Sequence, residues 1–171
     1  MAKSVLVVTP ETTTPQLNFR DRDSHFIFGD VAVAMLIEHE GVAGGECWKI
    51  IGRNLMTKFS NNIRSNFGFL NASEEPEPEF EDRYFVQEGR KVFKEVCPEV
   101  AKQISEQLEK LSISPQSLKR MWLHQANLSM NQLIAKRVLG RDASAEEAPT
   151  ILTEYANTSS AGSVIGLQKH R

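Results

Sequence analysis

Met121-Trp122-Leu123-His124-Gln125-Ala126-Asn127 is the stretch that decides how this chain is read. Its first three residues are apolar and make a short strand, which ends abruptly on a polar tetrad. Asn127 is a residue type that caps helices. Behind it, Met130, Leu133, Ile134 and Val138 share one helical face. The segment is therefore a strand handing over to a helix, with His124 at the junction. A second junction of the same kind follows. Residues 151–155 read as a strand, and Asn157-Thr158-Ser159-Ser160-Ala161-Gly162-Ser163 opens a final helix through Val164, Ile165 and Leu167, inside which the chain stops. In layered α/β folds such strand-end loops carry chemistry, because the sheet holds them rigidly against a crevice.

Working upstream, residues 5–9 form a strand ended by Pro10 and a polar stretch. Phe26-Ile27-Phe28 turns at Gly29-Asp30 into residues 31–37, which are apolar at every position and suit a central strand covered on both sides. A glycine-containing turn over residues 41–45 leads to a partner strand at residues 48–52. Residues 73–82 are acidic, include Pro76 and Pro78, and read as an exposed loop. Phe85, Val92, Phe93, Val96, Val100, Ile104, Leu108 and Leu111 then mark one long amphipathic helix. Pro98 falls inside it and predicts a kink or a break. Ser114-Pro115 has the pattern of a cap followed by proline at a first helical position.

With 171 residues, 40% hydrophobic and 25% charged, the chain suits one soluble domain of ordinary size. Lys and Arg total 20 against 22 Asp and Glu, so its net charge of -2 gives no general pull toward nucleic acid. No apolar run reaches the roughly 20 residues that span a bilayer. The N-terminal apolar run is too short for a signal-peptide core. Cys47 and Cys97 lie far apart without C-x-x-C spacing, which argues against a disulfide framework or a zinc site. The sequons at Asn71, Asn127 and Asn157 carry little weight without a secretory signal, and a reducing cytoplasm is the expected compartment. There is no G-x-S-x-G elbow, and the glycines at 41, 44 and 45 form no phosphate-binding fingerprint.

His124 and Asn157 both bear side-chain hydrogen-bond donors. Two such donors converging on a thioester carbonyl would stabilise the enolate formed when a carboxylate leaves the adjacent carbon. Local pattern leaves the plainer readings open: a buried histidine satisfied by backbone groups, and an asparagine that does no more than cap a helix.

His124-Gln125-Ala126-Asn127 and Asn157-Thr158-Ser159-Ser160-Ala161 resemble the HQAN and NTS blocks of β-ketoacyl-ACP synthase III. Phe28-Gly29-Asp30 resembles that family's FGDG turn, and Gly89-Arg90-Lys91-Val92-Phe93-Lys94 its G-x-x-VFK helix start. The blocks fall in the family's order across residues 26–163, with particular likeness to its β-ketodecanoyl branch, which elongates medium-chain primers. The resemblance implies an α/β thiolase-like layered αβαβα fold, here incomplete. Residues 1–45 would be the tail of the N-terminal half, and residues 46–171 most of the C-terminal half. It implies decarboxylative Claisen condensation of an acyl-CoA primer with malonyl-ACP in fatty acid biosynthesis. His124 and Asn157 would be catalytic, and Asp30 would fix a turn. Acyl-CoA and malonyl-ACP would be substrates, with no cofactor and no metal. Expected partners are the acyl carrier protein and, at full length, a second copy of the chain; neither nucleic acid nor membrane is expected.

Departures from the pattern qualify that picture. Val31 replaces the second glycine of FGDG, and Ser129-Met130 stand where relatives often carry Arg-Ile, the arginine being associated with carrier-protein docking. The family's nucleophilic cysteine lies upstream of residue 1, and its closing glycine-rich strand lies downstream of Arg171. Cys97, mid-helix between Glu95 and Glu99, and Cys47, beside Trp48, are not expected to replace that nucleophile. The isolated chain is therefore expected to be inactive and marginally stable. Alternatives are a truncated homologue acting as a binding module, or a polyketide-type relative with a different primer. Pairing histidine with asparagine favours decarboxylative over thiolase chemistry, where a second cysteine would be expected.

Overall fold

β1 (Ser4–Glu11) and β2 (Val31–Glu38) pair antiparallel, with Ser4 opposite Glu38 and Glu11 opposite Val31. They belong to a computed structural model that describes residues 2–65 and 83–171. The acidic segment 73–82 and the sequon at Asn71 lie outside the described residues. Both strands fall where the apolar runs placed them, but β2 is not covered on both sides. Its residues alternate between half-buried and exposed, and β1 leaves Leu6 62% and Val8 57% exposed. An all-apolar run states that a strand tolerates burial on either face; it does not state that the same chain supplies both covers.

One face of β2 is covered by α4 (Ala161–Lys169). Val31 and Val33 pack there against buried Ile151, Ala161 and Ile165. Val31, the departure from the glycine pattern, thus has a packing role at the start of β2. α4 ends at Lys169 with His170 as its C-cap.

A second core lies between α1 (Gly89–Lys110) and α2 (Leu128–Leu139). Cys97, Ala101 and Leu108 of α1 meet Ile134, Ala135, Val138 and Leu139 of α2, with Met121 beside them. The expected break at Pro98 does not occur: α1 runs through it. Pro98 and Lys94 are both exposed, so water can satisfy the Lys94 carbonyl that proline leaves without a donor. Asn127 caps α2 as its position predicted, with Oδ1 accepting the N–H groups of Ser129 at 2.8 Å and Met130 at 3.3 Å. Gly140 ends α2 at a φ of 73°, a conformation that favours glycine.

The strand expected at residues 48–52 is absent, and that segment is irregular. Further along the same stretch, side chains tie it to α1. Asn54 and Gln103 each donate a side-chain N–H to the other's backbone carbonyl, Lys58 pairs with Glu99 at 2.8 Å, and Ser60 and Asn62 both donate to Glu95. Short strands β3 (Ile63–Arg64) and β4 (Val86–Gln87) pair antiparallel before α1. Ser114-Pro115 begins a 3₁₀ turn, Pro115–Ser117, and the Ser114 hydroxyl donates to the Gln116 side chain instead of capping a helix.

Candidate active site

Neither junction is led into by a strand. Residues 121–123 belong to no ladder; the Met121 N–H donates to the Glu147 carbonyl at 2.7 Å. Residues 152–155 form a single helical turn, α3 (Leu152–Tyr155), where a strand was expected. Ile151 and Tyr155 are four apart, one helical turn, and the Tyr155 N–H reaches the Ile151 carbonyl at 3.0 Å. Apolar Ile151, Leu152 and Tyr155 in a five-residue window fit either geometry, and here the fully buried Ile151 selects the helical one.

Gln125 joins the two junctions. It is 1% exposed, and both ends of its amide are used. Nε2 donates to the carbonyls of Leu123 at 2.9 Å and Pro149 at 3.4 Å, while Oε1 accepts from the Ile151 N–H at 3.1 Å and the Thr150 hydroxyl at 3.2 Å. Its Cβ lies 3.1 Å from where a side chain on Gly162 would begin, so Gly162 lets the start of α4 pack against Gln125.

The turn at Asn157 is held from the other side by the Phe28-Gly29-Asp30 turn. The Asn157 N–H donates to the Ile27 carbonyl at 2.9 Å, and the Gly29 N–H donates to the Asn157 carbonyl at 3.0 Å. A Cβ on Gly29 would sit 2.4 Å from the Tyr155 carbonyl oxygen, a backbone atom that cannot yield, which is why glycine stands there. Asp30 fixes the preceding loop by accepting the N–H groups of Thr13 and Thr14, each at 2.8 Å. The Thr14 hydroxyl and then its N–H hold the Asp30 carboxyl below its ordinary pKa.

Asn157 itself is 9% exposed. Its Oδ1 accepts the Ser159 N–H at 3.0 Å. Its Nδ2 donates to none of the described residues. The helix cap of α4 is Ser160, so Asn157 is not the plain N-cap of the simpler reading. The backbone around it is strained: Ala156 has φ 56° and ψ -154°, and Ser159 has φ 50°. Each such non-glycine conformation costs about 1–3 kcal/mol and persists only where its surroundings impose it. Here the Ile27 and Gly29 bonds and the Gln125 clamp impose it.

His124 keeps a solvent-exposed edge, while the Ser159 backbone lies against its ring. Protein crowded around the ring still lowers its pKa by desolvation, while the Ser159 backbone and the Glu11 carboxylate act in the opposite direction. Solvent reaches the ring on one side while protein hems it on the other. The Ser159 contact places His124 against the turn that carries Asn157, so the two residues singled out from sequence are neighbours in the fold.

One participant was missed. Glu11, at the end of β1, accepts the Ser160 N–H at 3.2 Å and the Ser160 hydroxyl on the same oxygen. It is 149 positions from Ser160 in sequence, and no local pattern links the two.

Both cysteines are free. Cys97 is 1% exposed, and burial pushes its thiol up, with Arg137 opposing. Desolvation, not the neighbouring glutamates, therefore keeps it protonated. Cys47 is exposed. Among the described residues no group of three or more His, Cys, Asp or Glu could hold a metal ion, and no helix is long and apolar enough to cross a membrane. An open groove between β2 and α4, lined by residues such as Val31, Met35 and Val164, includes neither His124 nor Asn157.

Residues 1–58 match the family 3-oxoacyl-[acyl-carrier-protein] synthase III, and residues 108–171 match the C-terminal family of the same synthase. β-Ketodecanoyl-[acyl-carrier-protein] synthase from Pseudomonas aeruginosa is 57% identical over 171 residues, covering 99% of this chain and 49% of that protein. β-Ketoacyl-[acyl-carrier-protein] synthase III from Mycobacteroides abscessus is 32% identical over 140 residues, covering 80% and 39%. The crystal structure of 3-oxoacyl-(acyl carrier protein) synthase III from Pseudomonas aeruginosa matches with a TM-score of 0.77 at 20% identity, over 98% of this chain and 48% of that one. The chain thus spans about half the length, or less, of these relatives.

Proposed function

This chain belongs to the 3-oxoacyl-[acyl-carrier-protein] synthase III family and carries part of its thiolase-like layered α/β fold, and from that premise we propose that it supplies the decarboxylating half-site of a condensing synthase. The reaction is decarboxylative Claisen condensation of an acyl-CoA primer with malonyl-ACP in fatty acid biosynthesis. In the half-reaction assigned to this chain, the bond between the malonyl α-carbon and its carboxylate breaks and carbon dioxide leaves. The electron pair passes into the thioester as an enolate. That enolate carbon attacks the acyl thioester on the synthase's cysteine, and the thiolate departs.

The observation that carries this reading is the state of Asn157. Its Oδ1 is committed to the Ser159 N–H, which fixes the amide and leaves the Nδ2 donor for another acceptor. His124, against the same turn, supplies a ring N–H. Two donors fixed before the charge develops cost no reorganisation when it does. Desolvation favours neutral His124, without the full positive charge that would hold the malonyl carboxylate in place. Its single ring N–H is assigned to the malonyl thioester carbonyl, in the tautomer that does not spend it on the Ser159 backbone.

The nucleophile is assigned to the rest of a complete synthase. Cys97 is buried with a raised pKa, and a thiol kept protonated is a poor nucleophile. Residues 1–45 are assigned to the end of the N-terminal half and residues 46–171 to most of the C-terminal half. Exposed Leu6 and Val8 on β1 support that division, because an apolar sheet face needs a cover. The acyl carrier protein is the partner for malonyl delivery, the complete enzyme is a cytoplasmic homodimer, and no cofactor beyond the substrates is assigned.

A chimera tests the reading. The matched half of the Pseudomonas aeruginosa synthase is replaced by this chain, and condensation of acyl-CoA with malonyl-ACP is measured beside the isolated 171-residue chain. The chimera is expected to condense and the isolated chain to be inert. A stable acyl thioester on Cys47 or Cys97 of the isolated chain would overturn the assignment.

A further inference from the structure

Glu11 lies at the last position of β1, where pairing with Val31 fixes its backbone. Just beyond it, Thr13 and Thr14 are tied to Asp30, so the carboxylate stands on a segment anchored at both ends. From there it takes both the N–H and the hydroxyl of Ser160 on Oε1. Ser160 closes the turn that begins at Asn157 and caps α4. This turn holds the strained Ala156 and Ser159, a conformation that needs external restraint to persist. Glu11 is also the one charged side chain, among the described residues, that acts on His124.

We infer that Glu11 is a positioning residue of the decarboxylation site, holding the Asn157 turn through Ser160 and setting the electrostatic surroundings of His124. This rests on the proposed roles of His124 and Asn157. The two actions are separable. The restraint needs an acceptor oxygen at Ser160, which glutamine also provides. The influence on His124 needs the negative charge, which glutamine lacks. Among the described residues no other charged group acts on His124.

The test uses the chimeric synthase, with malonyl-ACP decarboxylation and acyl transfer from acyl-CoA followed separately across pH. Glu11→Ala is expected to slow decarboxylation roughly 10- to 100-fold, the scale of loss when a reacting group is misplaced by about an ångström, with acyl transfer unchanged. Glu11→Gln is expected to restore most of the neutral-pH rate. It should also move the acidic limb of the profile to lower pH, since the charge that favours protonated His124 is gone. An acidic limb that stays in place in Glu11→Gln would overturn the inference even if Glu11→Ala fails to fold. So would equal loss of both half-reactions in Glu11→Ala. His124→Ala and Asn157→Asp run alongside: if neither affects decarboxylation, the functional reading fails, whereas a loss in them with both Glu11 variants normal refutes only the role of Glu11.

Discussion

Replacing Asn157 with aspartate separates the two ends of its amide. In the structure Oδ1 accepts the Ser159 N–H at 3.0 Å, and a carboxylate oxygen can do the same. Nδ2 donates to no described residue, and in the variant that donor becomes an acceptor. If Asn157 only shapes the turn, Asn157→Asp is close to harmless. If it binds the developing enolate, one preorganised donor is lost, worth about 3–4 kcal/mol or roughly 10²- to 10³-fold in rate. Asn157→Ala removes the donor and the turn bond together, the latter by itself costing about 1 kcal/mol of local stability by analogy with lost caps. The assay is release of carbon dioxide from labelled malonyl-ACP by the chimeric synthase, with acyl transfer to its cysteine as the internal control. The reasoning predicts that Asn157→Asp loses decarboxylation about as severely as Asn157→Ala while acyl transfer is retained. A variant that decarboxylates at the parent rate, or that loses both half-reactions equally, would refute it.

Gln125→Leu should be among the most damaging single changes to the site. It strips partners from the Ile151 N–H and from two carbonyls in a region where Gln125 is 1% exposed; at about 1–3 kcal/mol for each buried group left unpaired, a loss of about 3–5 kcal/mol is expected in urea denaturation of the chimera. Glu147 is held to a pKa of about 2, first by the Arg141 side chain and then by the Ser144 N–H, against an ordinary value of 4.5. Its folded value lies below its unfolded one, so its stabilising contribution is present above about pH 4.5 and lost as pH falls toward 2. Thermal melts of parent and Glu147→Gln should therefore differ at pH 7 and converge near pH 2; a difference that persists there would contradict the assignment.

Much of this site was legible because short blocks of sequence correspond to short-range structure. Asn127 caps α2 through its immediate neighbours, and Asp30 closes a loop sixteen and seventeen positions away. The strands expected before His124 and Asn157 do not form because segments as short as Met121-Trp122-Leu123, or Ile151 and Leu152 with Tyr155, do not distinguish a strand from an irregular segment or a helical turn. Pro98 does not break α1, because its cost depends on whether the freed carbonyl is buried, and exposure decides that, not sequence. Glu11 was invisible for a different reason. Its partner is brought to it by β1 and β2 pairing and by α4 packing on β2, and no periodicity encodes a contact across 149 positions. His124 and Asn157 could be named from their motifs, but their adjacency follows from the Gln125 clamp and the Ser159 contact.

The central claim is that this chain provides decarboxylation and not the nucleophile. It is tested most directly by following the chimeric synthase carrying His124→Ala by intact-protein mass spectrometry, first with acyl-CoA alone and then with malonyl-ACP. The account predicts that the acyl-enzyme forms on the supplied half as in the parent and then persists, because the malonyl partner is not decarboxylated. Failure to form the acyl-enzyme, or its consumption at the parent rate once malonyl-ACP is added, would contradict the account.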